Sequence, residues 1–131
     1  MLEDKTITLG ICEVSTAYRS VNLVERLRQF GAEVRVIMSD EAERYVTLPT
    51  IERVSGEEVI VGLTDKREDE LDKNSLLTET DLTVVAPASF SFIGKLASGL
   101  GEDFLTKLVS NSNSPVILAP SMSRDLYSSE V

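Results

Sequence analysis

The sequence predicts a three-layer α/β sandwich on a mainly parallel, doubly wound sheet, and three observations lead there. β-rich apolar runs alternate with helical patterns along the chain. The runs are continuously apolar rather than alternating in and out, which marks strands covered on both faces. Right-handed crossovers between such strands then produce double winding. With 131 residues the chain is long enough for one core of this kind and not for two. It reads as a single domain over residues 1–131.

Thr6 to Ile11 is the first strand, buried and β-branched. After a polar break, a helix is expected from about Thr16 to Phe30, with Val21, Leu23, Val24, Leu27 and Phe30 forming its apolar face. Gly31 stands where a helix C-cap belongs. Val34 to Met38 is the second strand, and Ser39 or Asp40 is the N-cap for the next helical segment. That segment, from Glu41 to Val54, must be interrupted, because Pro49 breaks a helix interior. Glu58 to Val61 suits a short third strand, residues Thr64 to Ser75 a charged surface loop, and a short helix is expected up to Thr80. Leu82 to Ala86 is the strongest strand signal, expected to stop at Pro87. Helices over Ser89–Ser98 and Glu102–Ser110 flank Gly99-Leu100-Gly101. A turn at Asn111–Ser114 leads to a final buried strand, Pro115 to Ala119, closed by Pro120, and a polar tail comes after it.

Composition excludes several function classes. A net charge of −9, from 22 acidic and 13 basic residues, repels nucleic-acid phosphates, and no Lys/Arg cluster offsets it. There is no histidine, which removes His-based acid–base catalysis and the commonest metal ligand. Together with a single cysteine, Cys12, this leaves no set for a structural zinc site, and no metal is expected. The longest apolar run is too short for a bilayer and the opening Met1-Leu2-Glu3-Asp4 is acidic, so a cytoplasmic location away from membranes is expected. Glycine-rich dinucleotide, nucleophile-elbow and phosphate-loop motifs are all missing.

In doubly wound sheets ligands sit beyond the carboxyl ends of the strands, near the point where strand order reverses. The segments there are Cys12–Tyr18, Ser39–Ala42, Pro87–Phe92 and Pro120–Arg124, and they carry Ser15, Thr16, Ser39, Ser89, Ser91, Ser121 and Ser123. Hydroxyls beside helix starts suit a phosphate. The same residues are also the favoured helix N-caps, so each has a purely structural reading beside the functional one.

The residues resemble a known family. Gly10-Ile11, Ala17-Tyr18-Arg19 and the run Leu23 to Ser39 look like the opening of the homo-oligomeric flavin-containing cysteine decarboxylases, the group that includes phosphopantothenoylcysteine decarboxylase of coenzyme A biosynthesis. Tyr45–Gly56, Asp81–Pro87 with Ile93–Gly99, and Leu118–Ser123 agree in order and spacing. The resemblance implies a Rossmann or flavodoxin-like flavoprotein binding FMN. It implies a trimer-based homo-oligomer and, if the chain is active, a lyase acting on a small molecule or peptide with a C-terminal cysteine. Carried over by position, it implies cofactor contacts from Ser15, Thr16, Ser39, Ser89, Phe90, Ser91, Ser121 and Met122.

Departures from the family pattern fall on the chemistry. Glu13 and Val14 replace the family's Gly-Ser pair, so a carboxylate faces the expected phosphate. Phe90, Ser91 and Phe92 follow Ser89 where Ala, Asn and Thr are usual; the two rings stack on a flavin or pack into core or an interface. The family's catalytic His and Asn align with Lys73 and Ser123, and its C-terminal flap with a reactive cysteine is expected to be lacking. Cys12 reads as a small buried residue rather than a nucleophile. Three readings are open: a flavoprotein with degenerate catalytic residues, a non-catalytic structural or regulatory subunit, or a piece completed by a partner.

Overall fold

The computed structural model describes residues 1–62, 79–101 and 103–129. Among the described residues, five parallel strands form one sheet: β1 (Thr6–Ile11), β2 (Glu33–Met38), β3 (Ile60–Val61), β4 (Leu82–Ala88) and β5 (Val116–Pro120). Their spatial order is β3-β2-β1-β4-β5, with every neighbouring pair parallel. The chain winds outward from β1 through β2 to β3, then returns to β4 on the other side. The order therefore reverses between β1 and β4, and a crevice opens at their carboxyl ends.

Period-two alternation sends the strand side chains into two cores. Ile7, Leu9 and Ile11 of β1 and Val34, Val36 and Met38 of β2 meet Val24 of helix α1 (Ser20–Gln29) and Ile51 of α2 (Leu48–Ser55). On the opposite face, Ile37 and Val85 meet Phe92 of α3 (Phe90–Ser98) and Phe104, Leu105, Leu108 and Val109 of α4 (Phe104–Ser110). Each fully buried aliphatic or Phe side chain contributes about 1.5–3 kcal/mol of transfer free energy. Gly10 matters on this second face. A Cβ there would lie 2.7 Å from Leu105 Cδ1, so the missing side chain lets α4 close down on β1. The last helix is the short α5 (Arg124–Tyr127).

Several element boundaries differ from the sequence expectation, each for a local reason. The first helix opens with a 3-10 turn, Ser15–Arg19, and becomes α-helical only at Ser20, whose hydroxyl donates to the Ala86 carbonyl at 2.8 Å. Phe30 lies past the end of α1 and is exposed, while Gly31 takes the left-handed φ of +100°. The stretch after Ser39 splits into a 3-10 turn, Asp40–Arg44, and α2, with Pro49 in the first turn of α2 where its missing N–H costs nothing. Only Ile60 and Val61 of the third run pair as strand.

Pro87 does not end its strand. β4 runs to Ala88, because a register irregularity between Val85 and Ala88 removes the need for an N–H there, and the Pro87 carbonyl accepts from the Cys12 N–H at 3.1 Å. The final strand is not buried. β5 is a sheet edge, with Val116 39% and Ile117 52% exposed. The two later helices start at Phe90 and Phe104, with Ser89 and Asp103 as their N-caps. The expected 64–75 loop, and the short helix up to its last two residues, lie outside the described residues; Glu79 and Thr80 are not helical.

Buried side-chain nitrogen and oxygen atoms all have hydrogen-bond partners among the described residues. Thr8 bonds Thr80 across 2.7 Å, and Thr83 bonds Ser112 and Ser114 at 3.2 and 3.0 Å. No helix among the described residues is long and apolar enough to cross a membrane, and no His/Cys/Asp/Glu group among them is placed to hold a metal ion.

Candidate functional site

Parallel strands deliver all their carboxyl ends to one edge, so the turns after β1, β2, β4 and β5 gather there. On the α3–α4 side of the switch point lies a cleft of about 350 Å³. Cys12, Phe92 and Leu105 supply its apolar wall, Glu13, Ser39, Asp40 and Glu41 its rim, and Lys95 and Asp103 its far side. A second hollow of about 350 Å³ opens on the α1 side, between Thr16, Arg19, Ser20 and Leu23 and the prolines Pro87 and Pro120.

The residues singled out from the sequence divide between these places. Ser39 lines the first cleft, and its hydroxyl donates to Glu13 Oε2 at 2.5 Å. Thr16 and Ser121 line the second hollow, their hydroxyls 2.6 Å apart. Ser89 is buried and caps α3, accepting from the Phe92 N–H at 3.0 Å. Ser15 and Ser91 are exposed and line neither cleft, while Phe90 and Met122 are half-buried and line neither. Ser123 is exposed and caps α5, accepting from the Leu126 N–H at 3.4 Å. Lys73 lies outside the described residues.

Sequence reasoning did not single out Lys95 and Asp103 as cleft residues. Asp103 is the N-cap of α4: its Oδ1 accepts from the Thr106 N–H and hydroxyl, both at 2.8 Å, and its Oδ2 lies 3.3 Å from Lys95 Nζ. Burial alone raises the Asp103 pKa. The Thr106 donors and Lys95 outweigh that, and the carboxyl titrates below its ordinary value. An Asp three residues before a Thr, just ahead of an apolar helix, was the available signal. Phe92, rather than Phe90, is the ring that reaches the cleft wall, since it falls on the helix face turned to the sheet.

Cys12 sits at the floor of the cleft, 1% exposed. Burial pushes its thiol up to about 11; hydrogen bonding from Ser89 opposes this, and the charges of Glu13 and Asp103 reinforce it. A neutral thiol at physiological pH is a packing group, not a nucleophile.

The cleft lining discriminates between the two ends of a phosphorylated ring ligand. Its volume lies within the usual range for ligand sites, about 300–1,000 Å³, and the Cys12, Phe92 and Leu105 wall fits a flat apolar ring. Its rim, with Glu13, Asp40 and Glu41, does not fit a phosphate dianion.

A doubly wound parallel sheet with an apolar-walled cleft at its switch point defines a ligand-binding α/β protein. Comparison with known proteins narrows the class: the Flavoprotein family model matches residues 1–131, and the chain belongs to that family. The coenzyme A biosynthesis bifunctional protein CoaBC of Borreliella burgdorferi is 34% identical over 131 residues, covering 100% of this chain and 34% of that protein. CoaBC of Vibrio vulnificus is 37% identical over 127 residues, 96% of this chain and 32% of that protein. The chain thus spans about a third of the length of these curated relatives. Among solved structures, the FMN-dependent cysteine decarboxylase SpaF superposes with a TM-score of 0.87 at 26% identity, covering 99% of this chain and 75% of that one. A second solved structure, PPC decarboxylase mutant C175S, shares the fold with a TM-score of 0.79 at 22% identity, over 95% of this chain and 74% of that one.

Proposed function

We propose that this chain is a flavin-binding protein of the cysteine-decarboxylase type, with FMN as the flavin its family supports and with altered catalytic groups. The observation that carries the reading is the cleft at the β1–β4 switch point, walled by Cys12, Phe92 and Leu105 and rimmed by Ser39. The family match over residues 1–131 and the likeness to FMN-dependent cysteine decarboxylases support it. Its substrate, on this reading, is a small molecule or peptide ending in cysteine. Assembly into a homo-oligomer is supported by the exposed apolar residues Val116 and Ile117 on the edge strand and Leu126 and Tyr127 on α5.

One observation favours binding without turnover. Ser123, aligned with the family's substrate-orienting Asn, is an exposed cap of α5. On that reading the chain serves as a structural or regulatory subunit, or is completed by a partner.

The test is the visible spectrum of the purified protein, before and after mixing with FMN and, separately, with riboflavin. Shifted flavin bands and quenched flavin fluorescence are expected. A colourless protein that leaves the fluorescence of both FMN and riboflavin unchanged refutes flavin binding. Release of CO2 from a peptide with C-terminal cysteine would refute binding without turnover.

A further inference from the structure

In a doubly wound sheet, a phosphorylated ligand sets its anion against the turn that follows the switch-point strand, where N–H groups and hydroxyls converge. Here that turn begins Cys12-Glu13-Val14, and Glu13 brings a carboxylate of its own to the cleft. Its Oε2 accepts a hydrogen bond from the Ser39 hydroxyl at 2.5 Å. A serine hydroxyl has one proton to donate, so Ser39 cannot serve a ligand phosphate while it serves Glu13. Asp40 and Glu41 continue the negative rim. Lys95, the one cation lining the cleft among the described residues, is 3.3 Å from Asp103 and thus already paired.

We infer that Glu13 occupies the place of a ligand phosphate, so that the cleft holds the ring system of a flavin without gaining affinity from its phosphate. The non-phosphorylated flavin, riboflavin, then binds at least as tightly as FMN. This rests on the flavin-binding reading and makes Glu13 the residue that sets the choice between the two flavins. The physical origin is repulsion between like charges a few ångströms apart near a protein surface, an effect worth about tenfold or more in affinity.

The experiment is a pair of fluorescence titrations, riboflavin and FMN, on the flavin-free protein at low and high salt, repeated with E13Q and E13S. The wild type should bind FMN no more tightly than riboflavin. Salt should tighten FMN alone, because it screens the repulsion. Either variant should tighten FMN by about tenfold or more and leave riboflavin within about threefold. The inference is overturned if the wild type prefers FMN tenfold or if E13Q leaves the ratio unchanged. The wild-type ratio and its salt dependence stand even if a variant misfolds. Failure of both flavins to bind the wild type defeats the flavin-binding reading itself, whereas a wild-type preference for FMN defeats only the assignment to Glu13.

Discussion

Asp103→Ala should be among the most damaging single changes near the cleft, and its cost can be built up from the contacts. The carboxylate caps α4 through the Thr106 N–H at 2.8 Å, and loss of an N-cap costs about 0.5–2 kcal/mol. It also accepts from the Thr106 hydroxyl, which is 0% exposed and would lose this partner, adding about 1–3 kcal/mol. The Lys95 pair, solvent-screened, adds no more than about 0.5 kcal/mol. The total is about 1.5–5.5 kcal/mol, or a fall in Tm of about 6–22 °C at roughly 4 °C per kcal/mol for a domain of this size. Asn is as good an N-cap as Asp, so Asp103→Asn should cost only about 0.5–1 kcal/mol. Calorimetry or thermal denaturation by circular dichroism on both variants measures this. A D103A loss below about 0.5 kcal/mol, or an equal loss in D103N, refutes the cap argument.

The same contacts set further outcomes. Because the Asp103 carboxyl titrates below its ordinary value, its contribution to stability is complete above the unfolded value and lost as pH falls through the folded one; acid titration of stability should be shallower in D103N than in the wild type. Cys12, with its thiol near 11, should react with a disulfide reagent at pH 8 about 100-fold more slowly in the native than in the unfolded protein. The stability it lends is intact below the unfolded thiol value and declines as pH rises toward 11, a decline absent in C12S. Gly99→Ala meets nothing within 4 Å but carries a φ of +72°, so equilibrium urea unfolding should register a pure backbone cost of about 1–2 kcal/mol. A loss under a few tenths would show that the helix end relaxes.

Much of the architecture was legible because it rests on patterns that local physics enforces. The runs Thr6–Ile11 and Val34–Met38 are rich in β-branched and apolar residues with a single charge between them, as strands covered by helices on both sides are, and they are β1 and most of β2. Pro49 correctly split a helical stretch, since its ring forbids a helix interior. Pro87 misled for the complementary reason: the strand irregularity that tolerates it is a property of β4 pairing with β5, not of the residue's neighbours. β5 misled because apolar residues on an edge strand look like core residues until the strand order is known.

The candidate site was less legible. That hydroxyl-bearing turns would gather at one edge follows from parallel strands. Which face of the sheet each hydroxyl joins does not: Thr16 and Ser121 meet on the α1 side while Ser39 turns to the α3 side. Ser89 and Ser123 have helix starts beside them, and their hydroxyls bond those starts. The pairing of Glu13 with Ser39 joins residues from two different strand ends, so only the register of β1 against β2 brings it into view.

Hydrogen exchange with and without saturating flavin, read by mass spectrometry, tests most directly whether a flavin ring seats against Cys12, Phe92 and Leu105 at the switch point. Protection should appear in the turn after β1, the turn after β2 and the first turns of α3 and α4. Protection confined to the Thr16–Ser121 hollow, or an exchange pattern that flavin leaves unchanged, would contradict that placement.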